Sequence, residues 1–301
     1  MDDRMKEQQV FKSGYVSIAG RPNVGKSTLV NRLVGDKLSI VTPRPQTTRK
    51  TIRGILTTDN AQIIFMDTAG LHKPQDPLGE YMVKTAKKTF VEANIIYLMV
   101  ETNQPHAAEM RIIDELKQIR KTIFLVINKV DAVPKSSILP VIDAYQQLMN
   151  FSEIIPISAL HGDNVDLLLK LTVDYLPEGP CYYPPDITSD QIEREFIAEF
   201  IREKIFLNTF QEIPYSCAVI IDDMKEREGG GAFIRAIIYV EKDSQKGIII
   251  GKGGEMIKKI GEQARREIEN FLGYQVYVEL MVKVEKKWRK EITSLRKLGY
   301  Q

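Results

Sequence analysis

The chain has 301 residues, 42 Lys and Arg against 40 Asp and Glu, a net charge of +2, and 43% hydrophobic residues. That length favours about two domains, and the composition is that of a globular chain with a core, pointing neither to nucleic acid nor to a membrane. Two cysteines and three scattered histidines set aside a disulfide scaffold and a structural zinc module.

The start, MDDRMKEQQVF, carries acids where a leader peptide carries basic residues. No apolar run approaches the ~20 residues of a membrane helix, so the expectation is a cytoplasmic chain without a transmembrane segment. Over residues 15–176, short runs rich in Ile, Val, Tyr and Phe alternate with amphipathic stretches. The runs at 15–19, 62–66, 95–100, 123–127 and 153–157 are mostly continuous and apolar, as in strands buried on both faces. Helical spacing at 109–120 and 138–149 between them predicts an α/β fold with a mostly parallel sheet and helices on both faces.

Residues 20–27 read GRPNVGKS, a G-x-x-x-x-G-K-[ST] loop after the first strand and before a helical stretch at 29–34. Its glycines let backbone N–H groups approach phosphate, and the helix that follows presents its positive end. Gly20, Asn23, Val24, Gly25, Lys26, Ser27 and Thr28 are therefore expected to hold the phosphates, with Lys26 on the β- and γ-groups and Ser27 on Mg²⁺. Asp67 and Gly70 form D-x-x-G after the strand at 62–66, Asp67 holding Mg²⁺ through water and the Gly70 N–H meeting the γ-phosphate. Between them, TPRPQTTR at 42–49 offers Thr48, with Thr47 the second candidate, to close on Mg²⁺ and γ-phosphate. Lys26, Thr48 and Gly70 are the expected catalytic set.

Asn128, Lys129 and Asp131 form N-K-x-D after the strand at 123–127. A carboxylate there accepts hydrogen bonds from guanine N1–H and its exocyclic amine, donors that adenine lacks in that arrangement. Lys129 can pack across the base, Asn128 can tie this loop to the phosphate loop, and Ser158, Ala159 and Leu160 can turn backbone N–H groups to guanine O6. Alone, N-K-x-D is equally a capping Asn or Asp. In order, spacing and strand context, however, the whole set resembles the Ras-like GTPase superfamily, which implies GTP and GDP as ligands. Leu71 stands where that superfamily carries a water-orienting glutamine, so slow intrinsic hydrolysis is expected. Asn23 with Leu71 resembles a branch that uses K⁺ as an activating ion. Asn23 is either a K⁺ ligand or a cap of its loop, and His72 is read as a surface residue rather than a general base.

The segment LPEGPCYYPPDITSD, at 176–190, reads as a linker. The expected domains are 1–178, a linker at 179–190, and 191–301. Beyond the linker come helical spacing at 192–205, strand-like runs at 215–221 and 233–241 around a Gly-rich turn at 229–231, a helix at 254–271 and a strand at 275–284. This α-β-β-α-β order predicts a small α+β domain. Ile250, Gly251, Lys252, Gly253 and Gly254 contain G-x-x-G before a helix, the loop with which KH domains clamp single-stranded backbone. Lys258 and Arg265, with Lys259 and Arg266, lie on the polar side of that helix. Residues 186–243 hold 7 basic against 13 acidic groups and residues 244–301 hold 13 against 7, so the C-terminal stretch is basic. Trp288, among Lys286, Lys287, Arg289 and Lys290, is either a stacking surface or a packed edge.

A Ras-like domain followed by a type II KH domain resembles the Era family of GTPases, through GRPNVGKS, QTTR, DTAGLH, NKVD, SAL and GIIIGKGG. The resemblance implies binding near the 3′ end of 16S ribosomal RNA and action in 30S subunit maturation, coupled to the cell cycle, with nucleotide controlling affinity. It also implies a monomer with peripheral contact at the inner membrane. The rival reading is a membrane-associated regulatory GTPase whose basic C-terminal module binds lipid or protein.

Overall fold

A computed structural model describes residues 10–42, 44, 47–227 and 230–300. The first nine residues, Pro43, Pro45 and Gln46 of the TPRPQTTR segment, and Gly229 of the expected turn lie outside them. The chain divides into two compact units, one of residues 1–38, 51–72 and 85–190, the other of 39–50, 73–84 and 191–301.

The first unit is built on a six-stranded sheet in the order β2-β3-β1-β4-β5-β6. Its strands are β1 (Lys12–Gly20), β2 (Ile52–Thr57), β3 (Ala61–Asp67), β4 (Ile95–Glu101), β5 (Thr122–Asn128) and β6 (Glu153–Pro156). All neighbours are parallel except β2, which runs antiparallel to β3. Residues 95–100 are wholly inaccessible, the burial that their unbroken apolar run requires. The helices are α1 (Lys26–Val34), α2 (Pro77–Glu92), whose first turns belong to the second unit, α3 (Ala107–Leu116), α4 (Ile138–Gln146) and α5 (Val165–Tyr175). Parallel strands bring their C-terminal ends to one edge, and strand order reverses between β1 and β4. That reversal opens a crevice where loops can gather on a ligand.

Strand β2 is absent from the expected runs because Arg53 and Gly54 interrupt its apolar pattern. Residues 179–190, expected as a linker, cover this edge. Ile55 N–H donates to Thr188 O at 2.8 Å, and the Gln62 side chain accepts from Tyr182 N–H at 2.7 Å and Tyr183 N–H at 2.9 Å. An edge strand covered in this way is closed to pairing with another chain.

The second unit carries a three-stranded sheet, β7 (Ala218–Glu226), β8 (Ala232–Val240) and β9 (Val276–Val284), with β8 antiparallel to β7 and parallel to β9. Its helices are α6 (Glu193–Asn208), α7 (Ile213–Ser216), α8 (Asp243–Ile250), α9 (Glu255–Leu272) and α10 (Ile292–Lys297). The strand expected at 215–221 starts at Ala218 because Pro214 opens the short α7. It runs on to Glu226 across a register irregularity between Ile221 and Asp223. The α-β-β-α-β order omits α8, in which the apolar run at 248–250 forms the last turn. Along α9, Ile260, Ala264 and Ile268 turn inward at helical spacing.

Candidate nucleotide site and RNA loop

At the phosphate end, Gly25 (φ 101°) sets the turn from which α1 starts at Lys26, and an added Cβ would run into the Asn128 amide. Lys26 is buried, and its ammonium donates to Arg21 O at 2.8 Å and Gly20 O at 3.4 Å. Burial pushes its pKa down to about 8, with Asp67 opposing the shift. Ser27 Oγ donates to Asp67 Oδ2 at 2.7 Å across the crevice between α1 and β3. A hydroxyl and a buried carboxylate are hard oxygen donors, and this pair fits Mg²⁺, which takes its other ligands from phosphate and water. The D-x-x-G loop is fastened to the same place: Leu71 N–H donates to Gly20 O at 2.9 Å and Thr68 Oγ1 to Ile18 O at 3.0 Å. Leu71 is buried and apolar, and His72 Nδ1 lies 2.7 Å from Gly70 O. Asn23 (φ 66°) is exposed at the tip of the phosphate loop.

At the base end, Asn128 Nδ2 donates to Val24 O at 2.7 Å and its Oδ1 accepts from Ala159 N–H at 2.9 Å. One amide side chain thus joins the phosphate loop to the 158–160 loop. The hydrogen bond from the Ser158 hydroxyl is the largest influence holding the Asp131 carboxyl below its ordinary range; the nearby His161 and Lys129 act in the same direction. Lys129 (φ 67°) is ion-paired with Glu101, which lies 3.9 Å from Arg21, and Arg21 is paired in turn with the buried Glu109. Sequence reasoning missed this acidic pair. Its only signal is the register of Glu101 beside Asn128 on the neighbouring strand.

Comparison with known proteins bears on this geometry. The 50S ribosome-binding GTPase family matches residues 15–129, and the KH domain family matches residues 212–289. GTPase Era of Ruminiclostridium cellulolyticum is 51% identical over 292 residues, 97% of this chain and 98% of that protein. The chain belongs to the Era family of GTPases. A crystal structure of Era with MgGDPNP and nucleotides 1506–1542 of 16S ribosomal RNA is 41% identical, with a TM-score of 0.94 over 96% of this chain and 99% of that one. A variant of Aquifex aeolicus Era bound to GDP·AlF4⁻ matches with the same identity, TM-score and coverage. The Era fold of a mostly parallel GTPase sheet and a KH module, the GTPase activity, and GTP, GDP and Mg²⁺ as ligands thus belong to this chain. No helix among the described residues is long and apolar enough to cross a membrane.

Within this Era chain, Thr47 and Thr48 belong to the second unit and both are buried. Thr47 Oγ1 contacts Thr42 Oγ1 at 2.8 Å and donates to Arg44 O at 2.8 Å, while Thr47 O accepts from Arg202. Arg44 donates to Thr209 O and lies 5.3 Å from the Phe210 ring centroid. Arg49 is buried, with Nη1 on Cys217 O at 2.6 Å and Nη2 on Tyr215 O at 2.9 Å and Pro214 O at 3.2 Å. The structure brings Ser27 and Asp67 together and groups Thr48 with α6, α7 and their neighbours. Arg49 and Arg202 were not singled out from sequence, because the contacts that tie them to distant segments are to backbone carbonyls more than 150 positions away, beside the local Arg202–Glu199 pair.

The G-x-x-G loop joins α8 to α9. Gly251, Gly253 and Gly254 have φ of 74°, 62° and 85°, so side chains at these positions would be strained; the space beside Gly253 and Gly254 is open, while Gly251 packs closely on Met256. Lys252 and Lys258 are exposed, Ile250 is half-buried, and Arg265 is exposed with its guanidinium 4.0 Å from Glu269. Trp288 is wholly buried, donates to Ser216 O at 2.8 Å and stacks on Tyr300. It packs the module and offers no face to a base, which overturns the stacking reading of the tail.

Proposed function

We propose that this chain is a GTP-hydrolysing switch that binds 16S ribosomal RNA near its 3′ end and acts in 30S subunit maturation, coupled to the cell cycle. The observation that carries this reading is the joining of a guanine-type base loop and an open GKGG loop in one chain, in the arrangement of an Era solved with MgGDPNP and a 16S fragment. Residues 1–178 serve as the nucleotide domain and 191–301 as the RNA domain. The protein acts as a cytoplasmic monomer with peripheral contact at the inner membrane.

In this reading, Gly20 to Thr28 cradle the phosphates and Lys26 neutralises the β- and γ-groups. Ser27 and Asp67 hold Mg²⁺, Thr48 joins them only when the 39–50 segment leaves its place in the second unit, Gly70 N–H meets the γ-phosphate, and Asp131 with 158–160 reads guanine. Mg²⁺ supplies charge neutralisation between the β- and γ-oxygens. Leu71 contributes no polar atom to orient water, so hydrolysis is slow without help. K⁺ held by Asn23 supplies that help, and equal turnover in K⁺ and Na⁺ at matched ionic strength would dismiss it.

The test of function is replacement of Lys252 and Gly253 by aspartates, which puts two anions in the RNA loop. Affinity for an RNA of the 16S 3′ end should fall at least tenfold with GTP hydrolysis intact. Unchanged RNA affinity, or loss of binding to anionic vesicles in place of RNA, would favour the membrane reading.

Lys26 gives a pH signature. Its free-state pKa of about 8 means that the cation a phosphate needs is lost above that pH, while bound phosphate restores it. GDP affinity should therefore fall as pH rises past about 8, approaching tenfold per pH unit, with proton uptake on binding. Calorimetry in two buffers of different ionisation enthalpy at about pH 8.5 measures that uptake, and none would contradict the assignment.

A further inference from the structure

Arg32 stands in the last turn of α1 and has no part in the phosphate or base motifs. Its side chain is exposed, yet Nε donates to Ala159 O at 2.7 Å and Nη2 donates to Leu160 O. Gly162 (φ 95°) makes room for this crossing, since an added Cβ would lie 3.0 Å from Nη1. Two successive peptide carbonyls of the base loop are thus held by one planar fork, which a flexible ammonium could not hold in the same way.

In a trans peptide the C=O and the following N–H point in opposite directions. Drawing Ala159 O towards α1 therefore turns Leu160 N–H away from α1, and drawing Leu160 O does the same to His161 N–H. The second of these reaches the Ser158 hydroxyl at 3.1 Å, and that hydroxyl is bonded to Asp131. The Ala159 N–H is already engaged by Asn128 Oδ1. Leu160 N–H is thus the base-loop donor whose direction Arg32 sets.

We infer that Arg32 is a positioning residue for guanine recognition, fixing the Ala159–Leu160 peptide plane so that Leu160 N–H meets the 6-oxo group of the base. The inference rests on the guanine reading of the 158–160 loop and adds to it the residue that orients that loop. In this role Arg32 works through the two carbonyls and not by contact with the base.

The test compares the full chain with Arg32→Met, Arg32→Lys and Gly162→Ala, using GDP and the diphosphate of 2-aminopurine riboside, which lacks the 6-oxo group and with it the N1–H that Asp131 reads. The second loss is common to all four chains, so a change of preference among them reports on the 6-oxo contact. The wild-type chain should prefer GDP. Arg32→Met should shrink that preference by about tenfold, Arg32→Lys by less, and Gly162→Ala in the same direction as Arg32→Met, since its Cβ crowds the fork. Because Arg32 is exposed, Arg32→Met should keep the thermal transition. If Arg32→Met weakens both nucleotides by the same factor, the preference is unchanged, the role is general bracing of the loop, and the inference fails. If the wild-type chain itself shows no preference for GDP, the guanine reading of this loop fails instead.

Discussion

Replacing Asp131 by asparagine will turn the preferred base from guanine to xanthine. The carboxylate offers two acceptors, matching the N1–H and 2-amino donors of guanine. An amide offers one acceptor and one donor, so the N–H of the new side chain would face the 2-amino group of guanine without a partner. Xanthine carries a carbonyl at that position and restores the match. Exchanging a charge-assisted pair for a donor facing a donor costs about 3 kcal/mol, roughly a hundredfold in GDP affinity. The Ser158 hydroxyl donates to this carboxyl and holds it below its ordinary range, and an amide oxygen at 131 can accept the same bond. Competition of GDP and XDP against a fluorescent guanine nucleotide measures it. A variant that loses affinity for both bases alike would mean that Asp131 supports the loop without reading the base.

Replacing Arg49 by alanine will destabilise the second unit more than any other change considered. Its guanidinium is 3% exposed, donates to carbonyls of Pro214, Tyr215 and Cys217, and lies 5.8 Å from the Trp288 ring centroid. Truncation leaves three carbonyls facing a cavity, a loss of about 3–5 kcal/mol. Arg49→Lys should recover only a minor part, since one ammonium cannot span acceptors arranged for a fork. Calorimetry on the full chain should show the transition of the C-terminal module lowered by roughly 10–20 degrees. An unchanged transition would show that the arginine is carried passively.

Most of the nucleotide loops were legible in the sequence because they follow a strand so deeply buried that its apolar run is unbroken, as at 63–66 and 123–127. The polar residues just after those runs stand out by contrast. Strand β2 was not legible, since an edge strand needs no continuous apolar run and Arg53 is tolerated there with its head paired to Asp190. Helix α8 was hidden because Ile248, Ile249 and Ile250 read equally as strand or helix, a choice fixed by the Gly251 turn and the packing of Ile249. The arginine anchors were the least legible. A guanidinium bonded to backbone carbonyls leaves no mark on its partners' identity, so nothing about Pro214, Tyr215 or Ala159 announces Arg49 or Arg32. Trp288 shows the converse: a tryptophan among lysines looks exposed until Ser216 and Tyr300 are seen to enclose it.

The placement of residues 39–50 in the second unit has a consequence for synthesis. Arg49 leaves the ribosome 168 residues before Cys217, whose carbonyl it bonds. At roughly 5–20 residues per second this is a wait of about 8–34 seconds. In the last part of that wait, once β6 has emerged, the sheet of the first unit can close, but the carbonyls of Pro214, Tyr215 and Cys217 that Arg49 bonds are not yet made. The nascent chain therefore carries, on an otherwise completed domain, an arginine-bearing loop held in reserve for a partner not yet made. A stall in translation between residues 160 and 210 would expose that loop for as long as the stall lasts.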